Sequence, residues 1–151
     1  MLRPPPAPDL ASAVVWFDAF VTNVDRTDRN VNLLLWQKQM WLIDHGAALY
    51  FHHDWATYHE RAKSPFPFVS QHTLLRYASH LPEIDADFRA RLDEERFRQI
   101  VNAVPGAWLA QESFFSSEGA HRDAYVAYLA ERLDHSTLFV EEAVRARALL
   151  V

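Results

Sequence analysis

The stretch NVDRTDRNVN, residues 23–32, decides how the rest of the chain is interpreted. It places two Asp, two Arg and three Asn between an apolar run upstream, VVWFDAFV, and another downstream, LLLW. Short polar stretches between apolar segments are usually turns that join two elements of secondary structure. Because this one carries so many carboxylate and amide groups, it is a candidate site as well as a turn.

The flanking sequence predicts a helix before this loop and a β-hairpin after it. Apolar residues recur at helical spacing from Leu10 to about Thr22, and Asp9 is a suitable N-cap for that helix. The segment NLLLWQKQMWLID, residues 32–44, contains two apolar strands around a polar tip at residues 37–39. Neither strand alternates cleanly, so we expect both faces of the hairpin to be covered and its tryptophans to lie in the core.

The rest of the chain predicts a helical bundle. Helices are expected at residues 71–79, 84–92, 94–104, 121–133 and 137–150. Asp93 is expected to cap the third of these, and Leu81-Pro82 is expected to close the first. The predicted fold class is therefore mainly α with a small β-hairpin.

Composition and charge limit the classes of function. The chain has 151 residues, half of them hydrophobic, which fits one globular domain at residues 9–151 after a proline-rich linker at residues 1–8. The net charge of −5 is spread without a basic stripe, so we expect neither a nucleic-acid nor a membrane partner. The lack of cysteine excludes disulfides and thiolate zinc sites and fits a cytoplasmic protein.

Three residues form a candidate reaction site. Asp25 and Asn30 lie in the polar loop, and Asp44 follows fourteen residues after Asn30, at the far end of the hairpin. Because a hairpin brings its two ends side by side, Asn30 and Asp44 should lie close together. Amide and carboxylate oxygens are ligands that Mg²⁺ accepts, and Asp25 could take a proton from an attacking hydroxyl. These are the parts that phosphoryl transfer requires.

The sequence resembles a known family at these positions. The runs WFDAFVTNVDRTDRN, residues 16–30, and MWLIDHGAALYFHH, residues 40–53, are similar to the HipA-like kinases of bacteria. The resemblance implies the C-terminal lobe of a protein-kinase-like fold, with ATP as phosphate donor. It also implies Asp25 as catalytic base and Asn30 and Asp44 as Mg²⁺ ligands.

The chain departs from the general kinase pattern in two respects. His45 stands where typical protein kinases have Phe in an Asp-Phe-Gly motif. The two lysines, Lys38 and Lys63, match neither the position nor the setting of the lysine that binds ATP phosphates. We therefore expect a missing N-lobe or partner chain, and weak or no activity from this chain alone.

The neighbouring polar residues leave alternatives open. Arg26 and Arg29 could neutralise phosphate or pair with Asp44, and a salt bridge to another nearby acid is an equal alternative. His45 is expected to hydrogen-bond near the loop. A zinc site using His45, His52 and His53 is less favoured, because adjacent histidines point in different directions.

Two function classes follow. The first is an ATP- and Mg²⁺-dependent kinase whose acceptor is a Ser or Thr of a protein, by analogy with the family alone. The second is a non-catalytic helical interaction module that retains a kinase signature. The sequence leaves open the identity of the acceptor, whether protein or small molecule.

Overall fold

The structure is a computed structural model that describes residues 5–110 and 112–151. Within them the chain forms six α-helices and a two-stranded antiparallel hairpin, which confirms the predicted class, mainly α with a small β-hairpin. The helices are α1 Pro8–Phe20, α2 Tyr58–Ala62, α3 Leu81–Arg91, α4 Glu94–Asn102, α5 Glu118–Asp134 and α6 Ser136–Ala148, and the strands are β1 Leu33–Trp36 and β2 Gln39–Leu42. Residues 1–4 of the predicted linker lie outside the described residues, and the division into linker and domain stays a prediction.

Helix α1 supplies much of the core. It packs against α3 and α6, and its buried Trp16 stacks on Phe20 with ring centroids 4.9 Å apart. The edges of Phe88 and Phe139 close around the same indole. Its Nε1 donates a 2.8 Å hydrogen bond to Asp85 Oδ1, so the polar atom of this buried side chain is satisfied.

The predicted helix caps are right in one case and wrong in the other. Asp93 caps α4, because its Oδ1 accepts a 2.8 Å bond from the backbone N–H of Arg96. Asp9, in contrast, is not an N-cap: Ala7 holds that position and Pro8 begins α1. Proline suits the first helical turn because that turn has no partner for its N–H groups. Asp9 then lies inside the first turn, where its negative charge interacts favourably with the helix dipole.

The helix predicted at residues 71–79 is also wrong. That segment contains parts of two 3₁₀ turns, Pro67–Gln71 and Leu75–Tyr77. Between them His72 is extended, and its backbone forms an isolated antiparallel bridge with Thr27. Pro82 does not end a helix either, since it lies in the first turn of α3. The tertiary contact with the polar loop therefore overrides the local helical pattern.

The hairpin is closed by a two-residue turn. Leu34 lies opposite Trp41 in the register of β1 and β2. The turn residues Gln37 and Lys38 have φ values of 49° and 64°, which is the left-handed geometry of the tight hairpin turn whose twist suits the strands. The observed turn is thus one residue shorter than the predicted three-residue tip.

Only one face of the hairpin is covered, which corrects the prediction that both would be. Leu33, Met40 and Leu42 pack against the core. Trp36 and Trp41, expected in the core, are 59% and 51% exposed. The hairpin rests on the helical body through a single face, so the residues that alternate with the packed ones point to solvent.

Candidate active site

Asp25 and Asn30 are joined directly by their side chains. Asn30 Nδ2 donates a 2.6 Å hydrogen bond to Asp25 Oδ2, and Asn32 Nδ2 donates a 3.2 Å bond to the same oxygen. The backbone between them is tight, because Thr27 N–H donates to the carbonyl of Asn30 and Asn30 N–H donates back to the carbonyl of Thr27. The two loop residues singled out in the sequence thus meet in space.

Asp44 lies on the segment that returns beside this loop. Ile43 N–H donates a 3.1 Å bond to the carbonyl of Asn32, which extends the hairpin ladder one pair beyond β1 and β2. The loop that ends in Asn32 and the segment that carries Asp44 therefore run side by side at the same end of the hairpin. Asp44 is exposed and has a φ of 52°, and its Oδ1 is 3.5 Å from the backbone nitrogen of Gly46.

Arg26 connects the loop and the segment that carries Asp44 from the buried side of the site. Its side chain is buried, and its Nε donates a 2.5 Å hydrogen bond to Asp18 Oδ2 on α1. Its Nη1 donates to the carbonyls of Asn32 and Ile43, and its Nη2 lies 3.3 Å from His45 Nε2. The open question about this arginine is thereby answered: its carboxylate partner is Asp18, not Asp44.

Asp18 is the centre of the buried network. Besides Arg26, it accepts hydrogen bonds of 2.9 Å from Asn23 Nδ2 and 2.9 Å from His72 Nε2. Burial alone would raise the pKa of Asp18, but hydrogen bonds from His72 and Arg26 and their charges outweigh it and hold that pKa below its ordinary value. We call Asp18, Asn23, Arg26 and His72 the buried hub.

The other two charged residues of the loop, and His45, lie on the solvent side. Arg29 and Asp28 are exposed, and neither forms a salt bridge within the part of the chain that the structure describes. His45 contacts Arg26 as predicted for a hydrogen-bonding histidine, and its ring meets the edge of Phe17 at a centroid distance of 6.0 Å.

Sequence reasoning missed three of the residues that build the site: Asp18, Asn32 and His72. Asp18 gave a signal, since it is a lone acid within the apolar run of α1. A charge in such a run is buried and therefore needs partners. His72 gave none, because it reaches Asp18 from 54 residues away along the chain.

The sequence of the chain matches a known family. The HipA-like kinase family matches residues 7–139, which is most of the chain. The chain belongs to the HipA-like kinase family. No curated protein and no solved structure matches it significantly.

In this member of the HipA-like kinase family, two structural observations concern metal ions and membranes. Residues 5–110 and 112–151 contain no cluster of three or more His, Cys, Asp or Glu side chains arranged to hold a metal ion. His52 and His53 lie with ring centroids 4.4 Å apart at an interplanar angle of 74°. Among the helices described, none has the length and apolarity needed to cross a bilayer.

Proposed function

We propose that the chain is the C-terminal lobe of an ATP- and Mg²⁺-dependent phosphotransferase whose acceptor is a Ser or Thr of a protein. One observation carries the proposal. In a member of the HipA-like kinase family, the Asp25 and Asn30 side chains are hydrogen-bonded at 2.6 Å beside the segment that carries Asp44. A base, amide and carboxylate oxygens at one end of a hairpin are the groups that phosphoryl transfer uses.

Asp25 is proposed as the residue that orients and deprotonates the acceptor hydroxyl. Two amides, from Asn30 and Asn32, hold its Oδ2, and they fix the direction of the carboxylate. Its Oδ1 accepts no hydrogen bond from a described residue, so that oxygen is available for the proton of a hydroxyl. A base held in this way loses little freedom when the substrate arrives.

The donor set around Asn30 and Asp44 fits a hard cation. Because the Nδ2 of Asn30 is committed to Asp25, its carbonyl oxygen is the atom left for a ligand. The carboxylate of Asp44 is exposed and meets only the N–H of Gly46 among the described groups. Mg²⁺ bound there would neutralise charge on the ATP phosphates, and it accepts oxygen ligands of these types.

Arg26 is proposed as a positioning residue. Its guanidinium donates to carbonyls on both sides of the site, those of Asn32 and Ile43, while Asp18 neutralises its charge. A planar guanidinium with several fixed donors can hold two backbone segments at a set separation. The distance between Asn30 and Asp44 would then be set by Arg26 and the rest of the buried hub.

We further propose that a nucleotide-binding lobe outside these 151 residues completes the site. Lys63 forms a 3.0 Å salt bridge with Glu131, and Lys38 lies at the hairpin turn, so neither is set to bind phosphates beside Asp44. The exposed face of the hairpin, with Trp36 and Trp41, offers an apolar surface for that lobe.

The same surface also favours the rival function, a non-catalytic interaction module. An apolar hairpin face can bind a partner protein whether or not phosphate is transferred. The two functions differ in whether the full-length protein binds ATP with Mg²⁺.

Calorimetry of ATP with Mg²⁺ on the full-length protein separates them. We expect binding that Asp44→Ala weakens at least tenfold, because a metal ligand is lost. Asp28→Ala is the matched control, since Asp28 is an exposed acid of the same loop with no proposed contact. Equal affinity for the unaltered protein and Asp44→Ala would remove Asp44 as a ligand, and no ATP binding at all would favour the module.

A further inference from the structure

A cavity of about 770 Å³ lies among helices α1, α3, α4 and α5. Trp16 and Phe20 of α1 line it together with Phe97 of α4, and these three side chains are buried. Its volume falls within the range of about 300–1,000 Å³ that is typical of small-molecule sites. No residue proposed for phosphoryl transfer lines it, so the cavity is separate from the candidate active site.

The backbone between α3 and α4 creates this space. Only Leu92 and Asp93 separate the two helices, and both residues are extended. The helices do not pack along each other, since α3 contacts α1 and α6 whereas α4 contacts α5. The last turn of α3 and the first turns of α4 line the cavity, so its shape is set by the corner between these helices.

The lining of the cavity is apolar apart from two arginines, Arg91 and Arg96. The side that faces solvent, which we call the mouth, is apolar as well, because Phe17 and Ile100 line the cavity and are 36% and 60% exposed. Protein interiors are normally close-packed, and apolar surface left in contact with water is unfavourable. An apolar occupant would therefore bind favourably here.

Arg96 is a cation that remains available at the mouth. Its side chain is 61% exposed, and its guanidinium forms no hydrogen bond with a described residue. The carboxylate of Asp93 lies 3.9 Å from its Nε, which is beyond hydrogen-bond distance. Arg91, in contrast, bonds Asp87 at 3.0 Å. Among the described residues, the lining contains no carboxylate, so an anionic group at the mouth would meet the free donors of Arg96.

From these features we infer that the cavity binds a long-chain fatty acid, with the acyl chain against the aromatic lining and the carboxylate at Arg96. An apolar interior with one available cation at its mouth matches a ligand with a long apolar chain and a single anionic end. A docked helix fits less well, because a cylinder about 10 Å wide that rises about 5.4 Å per turn would fill 770 Å³ within about two turns. The inference goes beyond the proposed function and does not depend on it.

Calorimetry of the full-length protein with saturated fatty acids of eight to fourteen carbons tests the interior of the cavity. All are used below the concentration at which they form micelles, and no nucleotide is present. The dissociation constant should fall about three- to fourfold for each added methylene until the cavity is full, because each buried methylene contributes a similar free energy. An affinity that is independent of chain length would overturn the inference.

The head group is tested with the alcohol of the same chain length. The acid should bind about tenfold more tightly than the alcohol, since hydrogen bonds between charged groups are stronger than neutral ones. Arg96→Gln should make the two affinities nearly equal. Arg89→Gln is the matched control, because Arg89 is an exposed arginine of α3 that does not line the cavity. A preference for the acid that survived Arg96→Gln would contradict the assignment of the carboxylate.

Ile100→Asn tests the position of the acyl chain. This change should weaken the binding of every acid several-fold, because it places a polar group against the chain at the mouth. Val144→Asn is its control, since Val144 is an exposed apolar residue of α6 that does not line the cavity. Thermal unfolding should show little loss of stability in either variant, because both side chains are exposed. Equal affinities for Ile100→Asn and Val144→Asn would place the acyl chain elsewhere and overturn the inference.

The full-length protein could also fail to bind any of the acids. That result would overturn the inference, and it is the result expected if the proposed nucleotide-binding lobe fills the cavity. Because these measurements use no ATP, their outcome is independent of the calorimetry with ATP and Mg²⁺. A protein that binds fatty acids but no ATP with Mg²⁺ would retain this site and lose the proposed reaction.

Discussion

The loop at residues 23–32 has two sides that use the same residue types in opposite ways. On the buried side, Arg26 and Asn23 bind Asp18, together with His72. On the solvent side, Asp25 and Asn30 bind each other and leave oxygen atoms available. Buried charges must be paired or they destabilise the fold, whereas exposed ones are free to serve a ligand. Changes on the buried side should therefore affect folding, and changes on the solvent side should affect activity.

The largest expected effect comes from Asp18→Ala. Removing this carboxylate leaves the charge of Arg26 buried without a partner, which should lower the free energy of unfolding by about 3–5 kcal/mol. Urea unfolding followed by circular dichroism measures it. Asp28→Ala on the solvent side should change the same quantity by less than about 0.5 kcal/mol. If Asp18→Ala cost no more than Asp28→Ala, the buried hub would not be what stabilises the loop.

Asp25→Asn tests the solvent side of the loop. If Asp25 is the base, turnover by the full-length protein should fall at least about 100-fold, because general-base catalysis contributes that much or more. The free energy of unfolding should change by less than about 1 kcal/mol, since the side chain is only partly buried. Asp28→Asn serves as the control for a lost charge in the same loop. Full turnover by Asp25→Asn would remove Asp25 from the mechanism.

Acid titration of Asp18 provides a second test of the buried side of the loop. The folded-state pKa of Asp18 lies below its ordinary value of 3.8. The stability that this shift provides is complete above the unfolded-state pKa and is lost as pH falls through the folded-state value, at about 1.4 kcal/mol for each unit of depression. A carbon-detected NMR titration of the Asp18 carboxyl should give a midpoint below 3.8. A midpoint at or above 3.8 would contradict the network described for the hub.

The smallest effect is expected at the hairpin. Trp36→Ser should change the free energy of unfolding by less than about 1 kcal/mol, because that side chain is 59% exposed. The buried tryptophan used for comparison is Trp16. Trp16→Ala should lower the free energy of unfolding by about 3–5 kcal/mol. Denaturant unfolding of the two variants makes the comparison. A large loss with Trp36→Ser would mean that the outer face of the hairpin packs against something within this chain.

Local patterns in the sequence were enough to predict the hairpin, the loop and the cap at Asp93. Each of these depends on residues close together in the chain, such as the alternation of apolar and polar segments or an Asp before a helical run. The hydrogen bond between Asp25 and Asn30 was not predicted, although both residues were placed in the same loop. The pairing of the two ends of the hairpin, seen in the bond between Ile43 and Asn32, follows from hairpin geometry, and a short distance between Asn30 and Asp44 stays a prediction.

Long-range contacts account for what the sequence did not predict. His72 leaves its expected helix because it binds Asp18 and pairs with Thr27, and no local pattern announces either contact. The exposure of Trp36 and Trp41 depends on which face of the hairpin meets the helical body. The alternation of apolar and polar residues along a strand cannot identify the covered face when both faces of the hairpin are apolar.

The exposed hairpin face also makes the protein its own optical probe. Of its five tryptophans, Trp16 and Trp55 are buried, whereas Trp36, Trp41 and Trp108 are largely open to solvent. Their emission should consequently separate into a blue component that resists acrylamide quenching and a red component that does not. Two of the three quenchable indoles, those of Trp36 and Trp41, lie on the same exposed face of the hairpin. Anything that docks there should shift the red component towards the blue and protect it from the quencher, without a label being attached.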